Sequence, residues 1–179
     1  FWDVAKIPGR RTLADMASGS VGLEYALLAD GVPMDKLYPI DIDRALKVMS
    51  RIRAQIPKFW DTGALSSTML TNGEVVMGSL WSTRVHAAMS EGAPLGISWN
   101  QNALLVQSYG IPAGSKNVEV ARKYFDYASS PEVQSRWLTK YKAIPVNVKS
   151  YGAASKDLMD PATGKVKYLQ LTKFFGKLF

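Results

Sequence analysis

The stretch from Asn72 to Gln107 reads NGEVVMGSLWSTRVHAAMSEGAPLGISWNQNALLVQ, and it decides the fold that we predict. An Asn-Gly turn leads into an apolar run over 75–80 that is β-branched at its start and too short for a buried helix, so we expect a strand there. A short helix, a Gly/Pro turn and two further apolar runs, over 95–99 and 103–111, follow. Strands that alternate with helices indicate an α/β chain with a mixed sheet.

Aromatic and polar side chains stand at the ends of these predicted strands. Trp81 ends the first strand and Arg84 follows it, while Trp99 and Gln107 lie at or near the ends of the next two apolar runs. Ligands bind beyond the strand ends of open α/β sheets, so we expect a binding site here. The alternative for each residue is a structural role, because aromatic residues at strand ends often pack in a core and most arginines are exposed.

The remainder of the chain predicts helices that support this stretch. The last of them should bury Val133, Trp137 and Leu138. The segment from Ser18 to Ser20 precedes the first helix, where it could cap the helix or hold an anion. The predicted helices cover residues 21–29, 41–56, 64–70, 82–89, 118–128 and 131–141. Their predicted N-caps are Ser18 or Ser20, Asp41, Ser82, Asn117 and Ser130.

Composition excludes several classes of function. The chain has no cysteine, which removes disulfides and thiolate metal sites. It has one histidine, His86, so a Ser-His-Asp hydrolase lacks a convincing base, and Asp15 and Glu24 have no spacing that assigns them catalytic roles. We therefore expect no catalysis, no cofactor and no metal, with an α/β enzyme as the less favoured alternative.

The formal net charge of +7 raises the alternative of a nucleic-acid binder. The sequence shows no basic stripe interleaved with aromatic residues and no Gly-rich phosphate loop, so we interpret the charge as a solvated basic surface. No apolar run approaches the roughly 20 residues of a membrane span. The chain starts at Phe1 without an initiator methionine, and we expect an upstream part.

Five segments occur in an order and spacing that together are characteristic. They are FWDVAKIPGRRTL from Phe1, LLADG from Leu27, NGEVVMGSLW from Asn72, YGIPAGSKNVEVARKYFDYASSPEVQSRW from Tyr109 and AIPVN from Ala143. This order resembles the periplasmic solute-binding proteins of ABC transporters, in the branch typified by the spermidine/putrescine-binding proteins. The resemblance covers about residues 1–160. It implies an α/β, type II periplasmic-binding-protein-like fold with mixed sheets, of which this chain holds mostly the second lobe and part of the first.

The resemblance also implies an organisation and a role. Residues 1–104 would be mainly second lobe, residues 105–142 a return segment of the first lobe, and residues 143–179 a return toward the second lobe with a basic tail. Such proteins work in the periplasm, or outside the membrane on a tether, and deliver a small-molecule ligand to an ABC transporter permease. They close two lobes over the ligand without catalysis or a cofactor, and nucleic acid is not a partner.

The resemblance places residues of this chain in the ligand site. Trp81 falls where the family has a tryptophan, and its face would contact an amine by cation–π interaction. Gln107 falls where polyamine binders carry an aspartate, and a neutral amide cannot neutralise an amine. Arg84 adds a positive charge that could bind a carboxylate bidentately. We therefore expect an amino-acid or betaine-like zwitterion, with putrescine or spermidine as the alternative. Further positions near ligand-contacting segments of the family are Trp99, Leu105, Ser18 and Ser20.

Overall fold

The computed structural model describes residues 1–18 and 22–153, and the chain divides into two compact units, Phe1–Gly96 and Ile97–Phe179. Below they are called the first and the second unit. The boundary that the sequence predicts after residue 104 falls inside the second unit, and the assignment of segments to lobes stays a prediction. The basic tail lies outside the described residues. The strands are β1 (Arg11–Thr12) and β2 (Met77–Gly78), and the helices are α1 (Leu23–Ala29), α2 (Ile42–Ser50), α3 (Gly63–Thr71), α4 (Ser82–Ser90), α5 (Val118–Ala128) and α6 (Pro131–Tyr141).

Parallel pairing holds the strands of the first unit. In the β1–β2 pair, Arg11 lies opposite Met77, and an isolated parallel bridge joins Ala14 to Trp60. The predicted strand over 75–80 is therefore correct in place but shorter. The mixed pairing that the sequence predicts does not occur among the described residues, and the segments 95–99 and 103–111 form no strand there. An extended run becomes a strand only where a neighbouring segment supplies backbone partners.

Local chemistry explains where α2 and α6 begin. Asp41 accepts a hydrogen bond from the backbone N–H of Arg44 (3.0 Å), and Ser130 accepts one from that of Val133 (3.4 Å), so both predicted caps are confirmed. The bounds of α5 and α6 also agree with the prediction. Two other expectations were wrong. The helix predicted over 41–56 ends at Ser50, and α1 is capped by the backbone of Gly22 without a side-chain bond.

The core of the first unit consists of three groups of buried apolar residues. They are Ala26, Leu27, Leu37, Ala45 and Val48; Leu13, Ile52 and Ile56; and Ala14, Trp60, Met69 and Val75. Asp30 adds a polar clasp between α1 and α2, because its carboxylate accepts hydrogen bonds from Arg44 (2.8 Å) and Arg51 (2.9 Å). Burial of each large side chain contributes about 1.5–3 kcal/mol. This core therefore fixes the strand ends that are described below.

In the second unit, α6 packs against a turn at Val148–Ala153. The side chain of Gln134 accepts a hydrogen bond from the backbone N–H of Asn147 (2.8 Å), and the buried Ser150 hydroxyl donates to the carbonyl of Pro131 (3.1 Å). Val133 and Leu138 are buried as predicted, but Trp137 is 52% exposed. The prediction for Trp137 was wrong because the described residues that pack on α6 leave this side chain largely uncovered.

Candidate ligand-binding site

Three parallel segments of the first unit end at the same edge. The backbone N–H of Trp60 donates to the carbonyl of Leu13 (3.0 Å), and that of Asp15 donates to the carbonyl of Trp60 (2.9 Å). On the β2 side, the N–H of Ser79 donates to the carbonyl of Thr12 (3.1 Å). The residues that follow β1, the Trp60 segment and β2 therefore emerge together, as at the carboxyl edge of an open α/β sheet.

Two tryptophans meet at this edge, one buried and one partly open. Trp60 is 1% exposed, and its indole N–H donates to the carbonyl of Ser79 (2.8 Å). The rings of Trp60 and Trp81 are in edge-to-face contact, with centroids 5.5 Å apart and planes at 79°. Trp81 remains 37% exposed. Its ring is thus anchored by a core residue while part of it stays available to a ligand.

Arg84 lies beside the Trp81 ring. Ring carbons Cε3 and Cζ3 of Trp81 lie 2.7 and 2.8 Å from the position that a Cβ on Gly63 would occupy, and Arg84 Nε lies 3.0 Å from the same point. Gly63 is the buried first residue of α3. The structure therefore brings together Trp81 and Arg84, which the sequence singled out, and both lie against the first residue of α3.

The N-terminus of α4 opens at the same place. Trp81, not Ser82, occupies the N-cap position, and no side chain caps the helix. The prediction of Ser82 was wrong because extended backbone continues through Trp81, whose indole has no acceptor atom. The uncapped end carries the positive pole of the helix dipole. Arg84 is exposed and forms no ion pair with any carboxylate in the described chain. The N-terminus of α4 and the Arg84 guanidinium therefore both contribute positive potential beside Trp81.

An acidic and apolar pocket of about 290 Å³ lies beside Asp15. Asp15 accepts a hydrogen bond from the backbone N–H of Ser18 (2.8 Å), and Glu24 accepts one from the Tyr38 hydroxyl (2.9 Å). Partial desolvation and the hydrogen bond to Glu24 raise the pKa of Tyr38 above its ordinary value of 10.0, so the phenol stays a donor. The pocket is lined by Ala14, Asp15, Met16, Gly22, Leu23, Glu24 and Met49.

Sequence reasoning considered Asp15 and Glu24 only as unconvincing catalytic residues, and it missed this pocket. The sequence carried no local signal for Asp15, which the structure places just beyond β1 and the Ala14–Trp60 bridge, at the strand ends where ligands bind in open α/β sheets. No local sequence pattern indicated Glu24 either, because only the fold of the chain after β1 brings this residue to the pocket. Among the described residues, no three His, Asp or Glu side chains cluster as metal ligands would.

The other predicted site residues have different outcomes. Ser18 forms part of the turn at Met16–Ser18, and its hydroxyl donates to the carbonyl of Asp15 (2.8 Å), whereas Ser20 lies outside the described residues. Trp99 and Gln107 belong to the second unit, where Gln107 is exposed. Their participation in one site with Trp81 therefore stays a prediction. No helix in the part of the chain that the structure describes is both long and apolar enough to cross a membrane.

Comparison with known sequences identifies relatives over most of the chain. The family described as "Bacterial extracellular solute-binding protein" matches residues 1–163. The gamma-aminobutyric acid-binding protein of Pseudomonas aeruginosa is 34% identical over 139 residues, which are 75% of this chain and 39% of that protein. The spermidine/putrescine-binding periplasmic protein 1 of Haemophilus influenzae is 30% identical over 76% of this chain and 38% of that protein. The chain thus spans less than half the length of these relatives.

Solved structures show the same likeness in three dimensions. The Atu4243–GABA receptor superposes with a TM-score of 0.77 at 34% identity, over 99% of this chain and 58% of that chain. An ABC transporter substrate-binding protein from Bradyrhizobium japonicum gives a TM-score of 0.73 at 33% identity, over 99% and 52%. The predicted α/β fold, part of a type II periplasmic-binding-protein-like fold, is confirmed. The chain belongs to the family of bacterial extracellular solute-binding proteins.

Proposed function

We propose that this protein binds a small zwitterion, with an amine or quaternary ammonium group and a carboxylate, outside the cytoplasm and delivers it to an ABC importer. The observation that carries the proposal is the placement of the Trp81 ring and the Arg84 guanidinium against the same point on Gly63, at the uncapped start of α4. Family membership and the ligands for which the relatives are named, γ-aminobutyrate and polyamines, support the same role.

The first unit contains groups that can bind the carboxylate of such a ligand. A guanidinium presents a planar fork of donors to a carboxylate, and a helix N-terminus adds unpaired N–H groups and a favourable dipole. Arg84 and α4 supply these two features at one place. A ligand without a carboxylate would leave the positive charge of Arg84 uncompensated in a closed cleft.

The cationic end has two kinds of partner available. The exposed part of the Trp81 ring can attract an ammonium by cation–π interaction. The carboxylates of Asp15 and Glu24, in the pocket at the same edge, can neutralise an amine that carries a proton. The amide of Gln107 would add a hydrogen-bond acceptor without a charge, if lobe closure brings it to this site.

The polyamine alternative rests on the acidic pocket. Two carboxylates in one pocket suit a ligand with several ammonium groups, and the relative from Haemophilus influenzae is named for spermidine and putrescine. Arg84 argues against it, because a polyamine has no carboxylate to pair with the guanidinium, which would then repel an ammonium on the Trp81 ring without compensation. We therefore favour the zwitterion.

Binding would proceed by closure of two lobes over the ligand, which leaves the protein unchanged and presents the closed surface to the permease. We place the protein in the periplasm, or tethered outside the membrane, in keeping with its family. We propose no catalytic step, because solute-binding proteins bind and release their ligand chemically unaltered.

The test is a thermal-shift and calorimetric screen of the gene product in its full natural length. The ligands are γ-aminobutyrate, glycine betaine, putrescine, spermidine and short dicarboxylates. A ligand that binds only the folded state adds about 2.7 kcal/mol of stability at a hundredfold excess over its Kd. We expect stabilisation by a zwitterion, and its loss in Trp81→Ala and Arg84→Ala.

Matched controls separate binding from general damage. Trp137→Ala removes an exposed tryptophan of the second unit, and Arg122→Ala removes an exposed arginine that pairs with Glu119. Both should bind the zwitterion as the unaltered protein does. Stabilisation by putrescine or spermidine alone would contradict the zwitterion and leave the transport role in place. Stabilisation by nucleic acid with a steep salt dependence would contradict both.

A further inference from the structure

We infer that Gly63 is a specificity-determining position, because its missing side chain sets the positions of both Trp81 and Arg84 in the proposed ligand site. A Cβ built on Gly63 would lie 2.7 and 2.8 Å from two ring carbons of Trp81 and 3.0 Å from Arg84 Nε. Contacts of protein Cβ atoms essentially never fall below 3.0 Å. The inference rests on the proposed function, since it assigns Gly63 a part in that same site.

The backbone does not require glycine at this position. The described glycines with positive φ angles are Gly9, Gly31, Gly73, Gly92 and Gly114, so Gly63 is not among them. Gly63 begins α3, and glycine lowers helix stability relative to alanine. The backbone conformation therefore permits a side chain here, and the nearest atoms that oppose one belong to Trp81 and Arg84.

The Trp81 ring cannot retreat freely into the protein. Trp60, which is 1% exposed, contacts the Trp81 ring, and its indole is bound to the carbonyl of Ser79. The backbone of Trp81 is held as well, because its carbonyl accepts from the N–H groups of Arg84 (2.9 Å) and Val85 (3.3 Å). A methyl group at position 63 would thus push the ring and the guanidinium toward their exposed side, into the space that the ligand would use.

Gly63 would act through other residues, so it is a positioning residue. Displacement of Arg84 would misalign the paired hydrogen bonds to a carboxylate, whose strength depends on geometry. Displacement of Trp81 would move the aromatic face relative to the ammonium. Loss of affinity should therefore be larger for a zwitterion than for a ligand that has only one of the two groups.

The test compares Gly63→Ala with Gly110→Ala in the gene product of full natural length. Among the described residues, apart from the two chain neighbours of Gly110, no atom lies within 4 Å of the position that a Cβ on Gly110 would occupy. Gly110 also has no positive φ, so its alanine variant controls for the substitution itself. Calorimetry with γ-aminobutyrate and glycine betaine should show a loss of affinity of about tenfold or more in Gly63→Ala and little change in Gly110→Ala. The melting temperature without ligand should stay close to that of the unaltered protein in Gly110→Ala, whereas Gly63→Ala should stay folded with a melting temperature lowered by the overpacking.

Two further measurements distinguish a positioning role of Gly63 from a merely structural role. The NMR signal of the Trp81 indole N–H should shift in Gly63→Ala and stay in place in Gly110→Ala. In a Trp81→Leu background, which has no fused ring at Cε3, the added Gly63→Ala change should cost much less affinity than it does in the unaltered protein.

The outcomes distinguish this inference from the proposed function. An unaltered protein that binds neither zwitterion would contradict the proposed function, and an unmoved Trp81 signal in Gly63→Ala would contradict the inference whether or not a ligand binds. Equal affinity of Gly63→Ala and the unaltered protein would also overturn the inference and leave the proposed function intact. A displaced Trp81 signal with a selective loss of zwitterion affinity is the result that we expect.

Discussion

The two units of the chain bury their apolar residues to very different extents. The first unit carries three groups of buried apolar residues. In the described part of the second unit, the buried apolar residues are Ala128, Val133, Leu138 and Pro145. Large side chains of that unit stay exposed, among them Tyr109, Val120, Tyr124, Tyr127, Trp137 and Tyr141.

This difference does not come from the helix patterns, which are amphipathic in both units. On α2, Ala45 and Val48 are buried in one group with residues of α1. The apolar residues of α5 instead meet one another and Tyr109, whose ring stacks on Phe125 at 4.8 Å. An apolar pattern thus stabilises a unit only in proportion to the partner surface that covers it. The edge that carries the proposed ligand site belongs to the unit with the larger buried core.

The largest expected effect contrasts two tryptophans. Trp60→Ala in the first unit should lower the free energy of unfolding by about 3–5 kcal/mol, because it leaves a cavity and an unpaired Ser79 carbonyl. Trp137→Ala in the second unit should lower it by about 1 kcal/mol or less, because this side chain is half exposed. Urea unfolding followed by circular dichroism measures both. Similar losses in the two variants would break the contrast between the units.

A smaller effect compares the two confirmed helix caps. Asp41→Ala and Ser130→Ala each remove a side-chain acceptor from a helix N-terminus, which costs about 0.5–2 kcal/mol. The bond of Asp41 is shorter than that of Ser130, 3.0 against 3.4 Å, and only the aspartate carries a charge. We expect the larger loss in Asp41→Ala. Urea unfolding measures both losses, and Ser67→Ala, which removes a serine that caps no helix, is the control. A larger loss in Ser130→Ala than in Asp41→Ala would contradict the prediction.

The smallest effect concerns pH and the Asp30 clasp. Hydrogen bonds from Arg44, then from Arg51, lower the pKa of Asp30 below its ordinary value of 3.8. The folded pKa is below the unfolded one, so the clasp contributes stability above about pH 4 and loses it as the pH falls through the lowered value. Asp30→Asn should therefore be less stable than the unaltered protein at pH 7, and the gap should close in acid. Unfolding curves at several pH values measure it.

The second unit supplies the control for this pH effect. Its pair of Glu119 and Arg122 is highly exposed, with 77% and 66% of the side chains accessible. Exposed pairs contribute about 0–1 kcal/mol. Glu119→Gln should therefore change stability little at any pH. A pH-dependent gap as large as that of Asp30→Asn would show that the clasp is no better than an exposed pair.

The sequence predicted the features that short-range chemistry controls. The carboxylate of Asp41 and the Ser130-Pro131 start specify helix ends because their partners lie within a turn of the helix. Residues 75–80 indicated a strand, and Trp81 and Arg84 were correctly expected near its end. The family resemblance over about residues 1–160, confirmed by the comparisons, placed that part of the chain in its fold.

Tertiary structure decided the features that depend on residues far apart in the chain. Trp137 was expected in a core and is exposed, since periodicity marks an apolar face but not its cover. The pocket at Asp15 and Glu24, and the contact of Gly63 with Trp81 and Arg84, require chain segments that only the packed core brings together. A side chain's type and its local neighbours follow from sequence. The distances that make a binding site depend on packing across the whole unit.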